Sequence, residues 1–205
     1  FAGEHDNSIN AMQKALQLAG SNISLQQTTL SNMGDLDLHA AKTHAAYQLY
    51  KQSLQLDPAD LHSLSGIGWI ALQHDHNDSL AQKIFSFINA KTQSPEQLLK
   101  LSYATEQQMD NALSKKYAQQ FVERASDPLY GNMYNKYLVD LNTGILMNPA
   151  KAKAIAQKEL TLRSTPQTFS WYAWSLYKNN EADSAYKVYQ RYVSGKSLEG
   201  PELYY

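Results

Sequence analysis

Gly34 and Gly68 stand 34 residues apart (68 − 34 = 34), and the positions around them recur at the same interval, Leu30 with Leu64 and Met33 with Ile67. In a helix-rich chain this is the spacing of stacked helix–turn–helix units. It constrains the fold more than any single motif does. One such unit cannot bury its own apolar flank, so neighbours must stack, and the array grows in one dimension. Length alone therefore does not divide the 205 residues into globules. The spacing predicts an all-α solenoid of about five to six antiparallel helix pairs, an architecture that offers a binding surface rather than an enclosed reaction centre.

The best-patterned repeat covers 27–58. Leu30, Met33, Gly34 and Leu38 fall at helical spacing over 28–39, and Ala41, Ala45, Ala46, Leu49, Tyr50, Leu54 and Leu56 form a second amphipathic stretch. It stops at Asp57-Pro58, because proline lacks an amide hydrogen and restricts the residue before it. Small Gly34 and Ala46 let the two helices approach, and bulky Tyr50 fills the next layer. The pattern recurs over 61–94 with Leu64, Ile67, Gly68, Ala71 and Leu72, then Ala81, Phe85 and Ile88. Tyr50 to Phe85 is 35 residues (85 − 50 = 35), the extra one lying in the turn 74–78. A third good match covers 165–198: Pro166 opens a helix carrying Phe169, Tyr172, Ala173 and Leu176, and Ala185, Tyr189 and Tyr192 form the second face. Asn179-Asn180 makes its turn, since asparagine tolerates left-handed backbone.

Ala81 to Ala185 is 104 residues (185 − 81 = 104), close to three periods, so two further repeats are expected between them. They fall at 95–128, with Leu98, Leu101, Tyr117 and Phe121, and at 129–164, with Tyr137, Leu141, Ala152, Ala156 and Leu160 and a turn at 144–149. Residues 1–20 read as a turn and second helix of a partial unit, 20–27 as a longer inter-unit loop, and 201–205 as the start of the next helix. The expectation is one array over 1–205, cut from a longer one.

Composition narrows the role. A net charge of −1 argues against a nucleic-acid partner, which calls for a basic excess. No apolar run reaches the roughly 18 residues that a membrane span requires. The absence of cysteine removes disulfides, thiolate metal sites and thiol nucleophiles. Charged residues are 18% of the chain, below the usual ~25%, and Gln, Asn, Ser and Thr cover the polar faces instead, which leans towards an exported or envelope-associated protein.

The residues Leu30, Met33, Gly34, Ala46, Tyr50 and Pro58, and again Leu64, Ile67, Gly68, Ala81 and Phe85, resemble the tetratricopeptide repeat (TPR) family. The string AYQLYKQSLQLDPADLHSLSGIGWIAL is the most specific stretch, and TPQTFSWYAWSLYKNNEADSAYKVYQRYV is similar to the helical pair of large bacterial TPR proteins. Asp37 departs from the family's usual aromatic residue, and Ser53 from its alanine. The resemblance implies a right-handed superhelix whose concave wall, made by the first helix of each pair, binds a peptide or protein. That wall would present Thr28, Ser31, Asp35, Leu38 and His39, then His62, Ser65, Trp69 and Gln73, and later Gln167, Ser170, Trp174, Tyr177 and Lys178. We take Trp69, Trp174 and Tyr177 as anchors, because aromatic side chains bury large areas with few torsions to freeze. Asp35, Leu38, His39, Gln73 and Lys178 complete the candidate partner-binding set.

No cofactor or metal is expected, and no catalytic residue. The sharpest enzymatic lure is His74-Asp75-His76-Asn77-Asp78, an H-x-H-x-D string like that of metal-dependent hydrolases. Ser79 stands where that motif continues with histidine, and a helical repeat stands where it needs a strand. The competing expectation is an exposed turn in which Asn77 or Asp78 caps the next helix. No Gly-x-Ser-x-Gly elbow or phosphate-binding loop occurs. The reading is therefore an interaction scaffold with a protein or peptide partner. The alternative is a structural subunit of a larger exported or envelope-associated complex.

Overall fold

The computed structural model describes residues 2–196 and Leu198, and the expected helix start at 201–205 lies outside them. Among the described residues there are eleven α-helices, one short 3-10 turn and no strand. The chain forms two compact units, Phe1–Met109 and Asp110–Tyr205. The division falls inside the predicted repeat 95–128, between its two helices.

The N-terminal unit holds α1 (Ala2–Leu18), α2 (Ile23–His39), α3 (Thr43–Leu56), α4 (Leu61–Gln73), α5 (Asp78–Asn89) and α6 (Glu96–Gln107). Successive helices pack on one another, with α2 against α3 and α4 against α5 as the hairpins the repeat predicts. Side-chain caps fix three of the starts: Asn22 accepts from the Leu25 amide, Asp60 from His62 and Ser63, and Asn77 from Leu80. Two sequence expectations change here. The segment 20–27 is not a long loop, because the Asn22 cap starts α2 at Ile23. Residues 2–18 are one continuous helix without an opening turn.

The core of this unit is built where the repeat pattern places it. Tyr50 is fully buried in α3, its ring between Gly34 of α2 and Gly66 of α4. A methyl group added at Gly34 would stand 2.5 Å from the ring, and Gly66 is as close on the other side. Leu38 and Ile67 pack beside this layer against Ala46, Tyr50 and Ile70. One repeat later Phe85, also fully buried, lies against Gly68, where an added Cβ would stand 2.7 Å from the ring. Gly34 and Gly68 thus occupy alike environments.

The C-terminal unit holds α7 (Asn111–Ala125), the 3-10 turn Pro128–Tyr130, α8 (Asn135–Thr143), α9 (Pro149–Leu162), α10 (Pro166–Lys178) and α11 (Ala182–Tyr192). The helices α8 and α9 lie within 129–164, and α10 and α11 within 165–198. Asp110, Asn148 and Thr165 cap α7, α9 and α10. Val139, Ala152, Ala156 and Trp171 form a buried cluster, with Ile155 and Tyr172 packed on it. Phe121 is fully buried, edge-on to Tyr134 at 5.4 Å between ring centres. Tyr137, expected in the core, is 36% exposed, and Val139 takes the buried position.

Each hairpin turn within a unit is closed by one residue in left-handed backbone: Ala41 (φ 58°), His76 (φ 51°), Met147 (φ 49°) and Asn180 (φ 63°). Such a residue lets the amide just beyond it reach back to a helix carbonyl. Lys42, Asn77, Asn148 and Glu181 do so, to Asp37, Ala71, Asn142 and Leu176, at 2.7–2.9 Å. Ala41, expected inside the second helix, belongs to the turn.

Candidate functional site

In the N-terminal unit α2, α4 and α6 are the first helices of their repeats, and their side chains meet in one polar and aromatic strip. Asp35 is its centre. The Tyr50 hydroxyl donates to Asp35 Oδ1 at 2.6 Å, and His62 Nε2 lies 2.8 Å from Oδ2. Burial pushes the Asp35 carboxyl up, but the hydrogen bonds from His62 and Tyr50 outweigh it and hold the group below the ordinary carboxylate range. Burial, with the adjacent carboxylate, pushes the Tyr50 phenol well above its usual value. The bond to Asp35 raises His62, against the opposing effect of burial.

Further along the strip Lys100 of α6 donates to Ser65 of α4 at 2.7 Å and pairs with Glu96 at 2.8 Å. Its ammonium also lies over the Phe85 ring, 5.9 Å from the centre. Trp69 of α4 is half-buried and tilted 58° against Tyr103 of α6 at 6.4 Å. His39 and Gln73, at the ends of α2 and α4, are exposed. Leu38 faces the packing layer described above and is half-buried there. Ser31 and Ser65, expected on the open wall, are buried at 3% and 6% exposure, where their small size lets the helices close up.

In the C-terminal unit the three candidates on α10 form one cluster. Trp174 and Tyr177 are stacked, 5.7 Å apart with 27° between planes, and Lys178 Nζ lies 5.4 Å over the Trp174 ring. Trp174 is half-buried, and its indole donates to Thr143 of α8 at 3.1 Å. Tyr177 is 57% exposed. Ser170, like its counterparts, is buried.

Sequence reasoning missed Lys100 and Tyr103, which lie in the poorly patterned repeat 95–128. It also missed what replaces the family's usual residues. Asp37 is 8% exposed and held by His5 Nε2 at 3.0 Å, while Lys42 donates to the other ring nitrogen. Ser53 is fully buried, with Asp60 Oδ2 at 2.8 Å and Gln27 Nε2 at 3.0 Å. Each departure is thus matched by a polar partner from a neighbouring helix pair.

The His74–Asp78 string is an exposed turn. His74 Nδ1 meets its neighbour Asp75 at 2.8 Å, and Asn77 caps α5. No group of three or more histidine, aspartate or glutamate side chains among the described residues is placed to hold a metal. None of the described helices is long and apolar enough to cross a membrane.

No family model and no curated protein matches the chain. Solved structures do. A tetratricopeptide repeat protein from Parabacteroides merdae superposes with a TM-score of 0.65 at 18% identity, over 93% of this chain and 72% of that one. A thermophilic TPR protein of Thermus thermophilus gives a TM-score of 0.62 at 21% identity, over 80% of this chain and 89% of that one. At this identity the likeness is one of fold: a helical repeat of the TPR type. Folds of this type commonly mediate protein–protein interaction.

Proposed function

We propose that the chain is an interaction scaffold that binds a peptide or protein along the wall formed by the first helices of its repeats. The repeats would form one array with that wall on its concave side, and the protein would have no catalytic role. One observation carries the reading. The first helices of both units keep part-exposed aromatic side chains on faces that also carry charge: Trp69 against Tyr103 on the helices that Lys100 joins through Ser65, and Tyr177 stacked on Trp174, which lies under Lys178. Aromatic rings with part of their surface open are the usual energetic centres of protein interfaces. Rigid hairpins beneath them reduce the ordering cost of binding. Membership of a larger complex fits the same surface.

The test is selection of a peptide from a random display library on the intact protein, followed by affinity measurement on variants. Trp69→Ala or Tyr177→Ala should weaken the selected peptide by about 30-fold, the loss expected at an interface hot spot. Tyr186→Ala, on the exposed side of α11 at 65% exposure, should leave it unchanged. Full affinity in both wall variants would overturn the proposal.

A further inference from the structure

We infer that Asp35 and His62 form a proton-sensitive clasp between the α2–α3 and α4–α5 hairpins, so that the N-terminal unit tightens when His62 is protonated while the C-terminal unit does not respond. The clasp stands whether or not a partner uses the same strip.

Its geometry is fixed from below. The Tyr50 ring is fully buried between Gly34 and Gly66 and has no room to swing. Its hydroxyl holds one oxygen of Asp35, which leaves the other for His62 in the first turn of α4. Three helices, α2, α3 and α4, therefore converge on one carboxylate. Other charges face the pair. Asp60, the cap of α4, favours a charged His62 ring, and Lys100 of α6 opposes it. His39 at the end of α2 favours a charged Asp35.

The direction of the pH response follows. His62 is raised above the ordinary imidazole value of about 6.5, so its contribution is complete below that pH and is lost as pH climbs through the folded value. Asp35 is lowered, so its contribution is present above the ordinary carboxylate value of about 3.9 and is lost only as pH falls through the folded one. Both partners are charged between these limits, and the clasp weakens as the medium turns alkaline. A neutral ring still donates from Nε2, so it weakens rather than opens.

The chain carries its own reference. All six histidines (5, 39, 44, 62, 74 and 76) lie in the N-terminal unit. Among the described residues of the C-terminal unit, Lys153 pairs with Glu181 between hairpins at 2.6 Å. The bond to Lys153 lowers Glu181 and the same bond raises Lys153, so this pair stays charged throughout the neutral range.

Amide hydrogen exchange of the full chain at about pH 6 and about pH 8, corrected for intrinsic rates, tests the clasp. Protection in α2–α4 should be about 3- to 10-fold higher at the lower pH and unchanged in α8–α10, and His62→Gln should remove most of the difference. Equal protection at both pH values, a parallel change in α8–α10, or a difference that survives His62→Gln would overturn it. The His62 ring itself is followed by NMR in the wild type as well. A midpoint above the ordinary value supports the clasp, and one at or below it rejects it.

Discussion

The N-terminal unit ties its helices together through histidine–aspartate contacts, His62 to Asp35 and His5 to Asp37, and through a tyrosine held between two glycines. The C-terminal unit uses Lys153 with Glu181, the Trp174 indole on Thr143, and a buried Glu159 that takes hydrogen bonds from Asn135 and Arg163 at 2.6 Å each. Glycine is also absent from its close-packed helix contact, where the cluster of Val139, Ala152, Ala156 and Trp171 relies on alanine. The same hairpin geometry thus tolerates different chemistry at its joints. What it requires is a small residue opposite a large one in each layer. What it leaves free, the ionic character of the joints, decides which unit senses pH.

The largest effect that would sharpen this contrast is at the aromatic layer. Tyr50→Ala should cost the N-terminal unit about 3–5 kcal/mol, the range for removing a large buried ring. Tyr189 is the sequence counterpart one hundred and four residues after Phe85 (189 − 85 = 104), but it is 43% exposed, since no described helix follows α11 to cover it. Tyr189→Ala should therefore cost less than about 1 kcal/mol. Urea unfolding with exchange readout in each unit compares them, and equal losses would break the account of layering.

Next comes glycine. Gly34→Ala places a methyl 2.5 Å from the Tyr50 ring and should cost about 2 kcal/mol through overpacking. Gly20→Ala meets no atom within 4 Å but inherits a φ of +53°, which should cost about 1 kcal/mol. In the C-terminal unit, Arg163→Ala leaves Glu159, at 1% exposure, with Asn135 as its hydrogen-bond partner. Loss of a partner from a buried pair costs about 3–5 kcal/mol, but the Arg163 side chain is 60% exposed, so we expect about 1–2 kcal/mol. Thermal unfolding of each variant against the wild type checks these three values. The smallest effect is at the part-exposed Lys153–Glu181 pair: Lys153→Met should lower the thermal midpoint only slightly, and a drop as large as that of Gly34→Ala would show that the ionic joint carries as much stability as the packed layer.

Much of the fold was legible because the repeat signal and the packing are the same fact. Gly34 recurs as Gly68 after 34 residues and Tyr50 as Phe85 after 35, because a small and a large side chain must meet in each layer. The hairpin turns were less legible. Asn180, and more weakly His76, belong to residue types that favour left-handed backbone, but Ala41 and Met147 adopt it with no propensity to mark them. Gly20 ended α1 and Asn22 capped α2, a signal that the longer expected loop at 20–27 overlooked. For the candidate site, period placed Asp35, Trp69, Trp174, Tyr177 and Lys178 on first helices. It did not show that Asp35 spends both oxygens on Tyr50 and His62, or that Leu38 turns into the packing layer. Those are contacts between helices, within a repeat for Tyr50 and between repeats for His62, and a pattern within one helix carries no information about them.

The central claim is that first helices, not second ones, carry the partner. Amide hydrogen exchange of the intact protein, with and without a display-selected peptide, reads it residue by residue. Added protection should concentrate in α2, α4 and α6 or in α8 and α10, with α3, α5, α9 and α11 unchanged. Protection concentrated on the second helices would contradict the account.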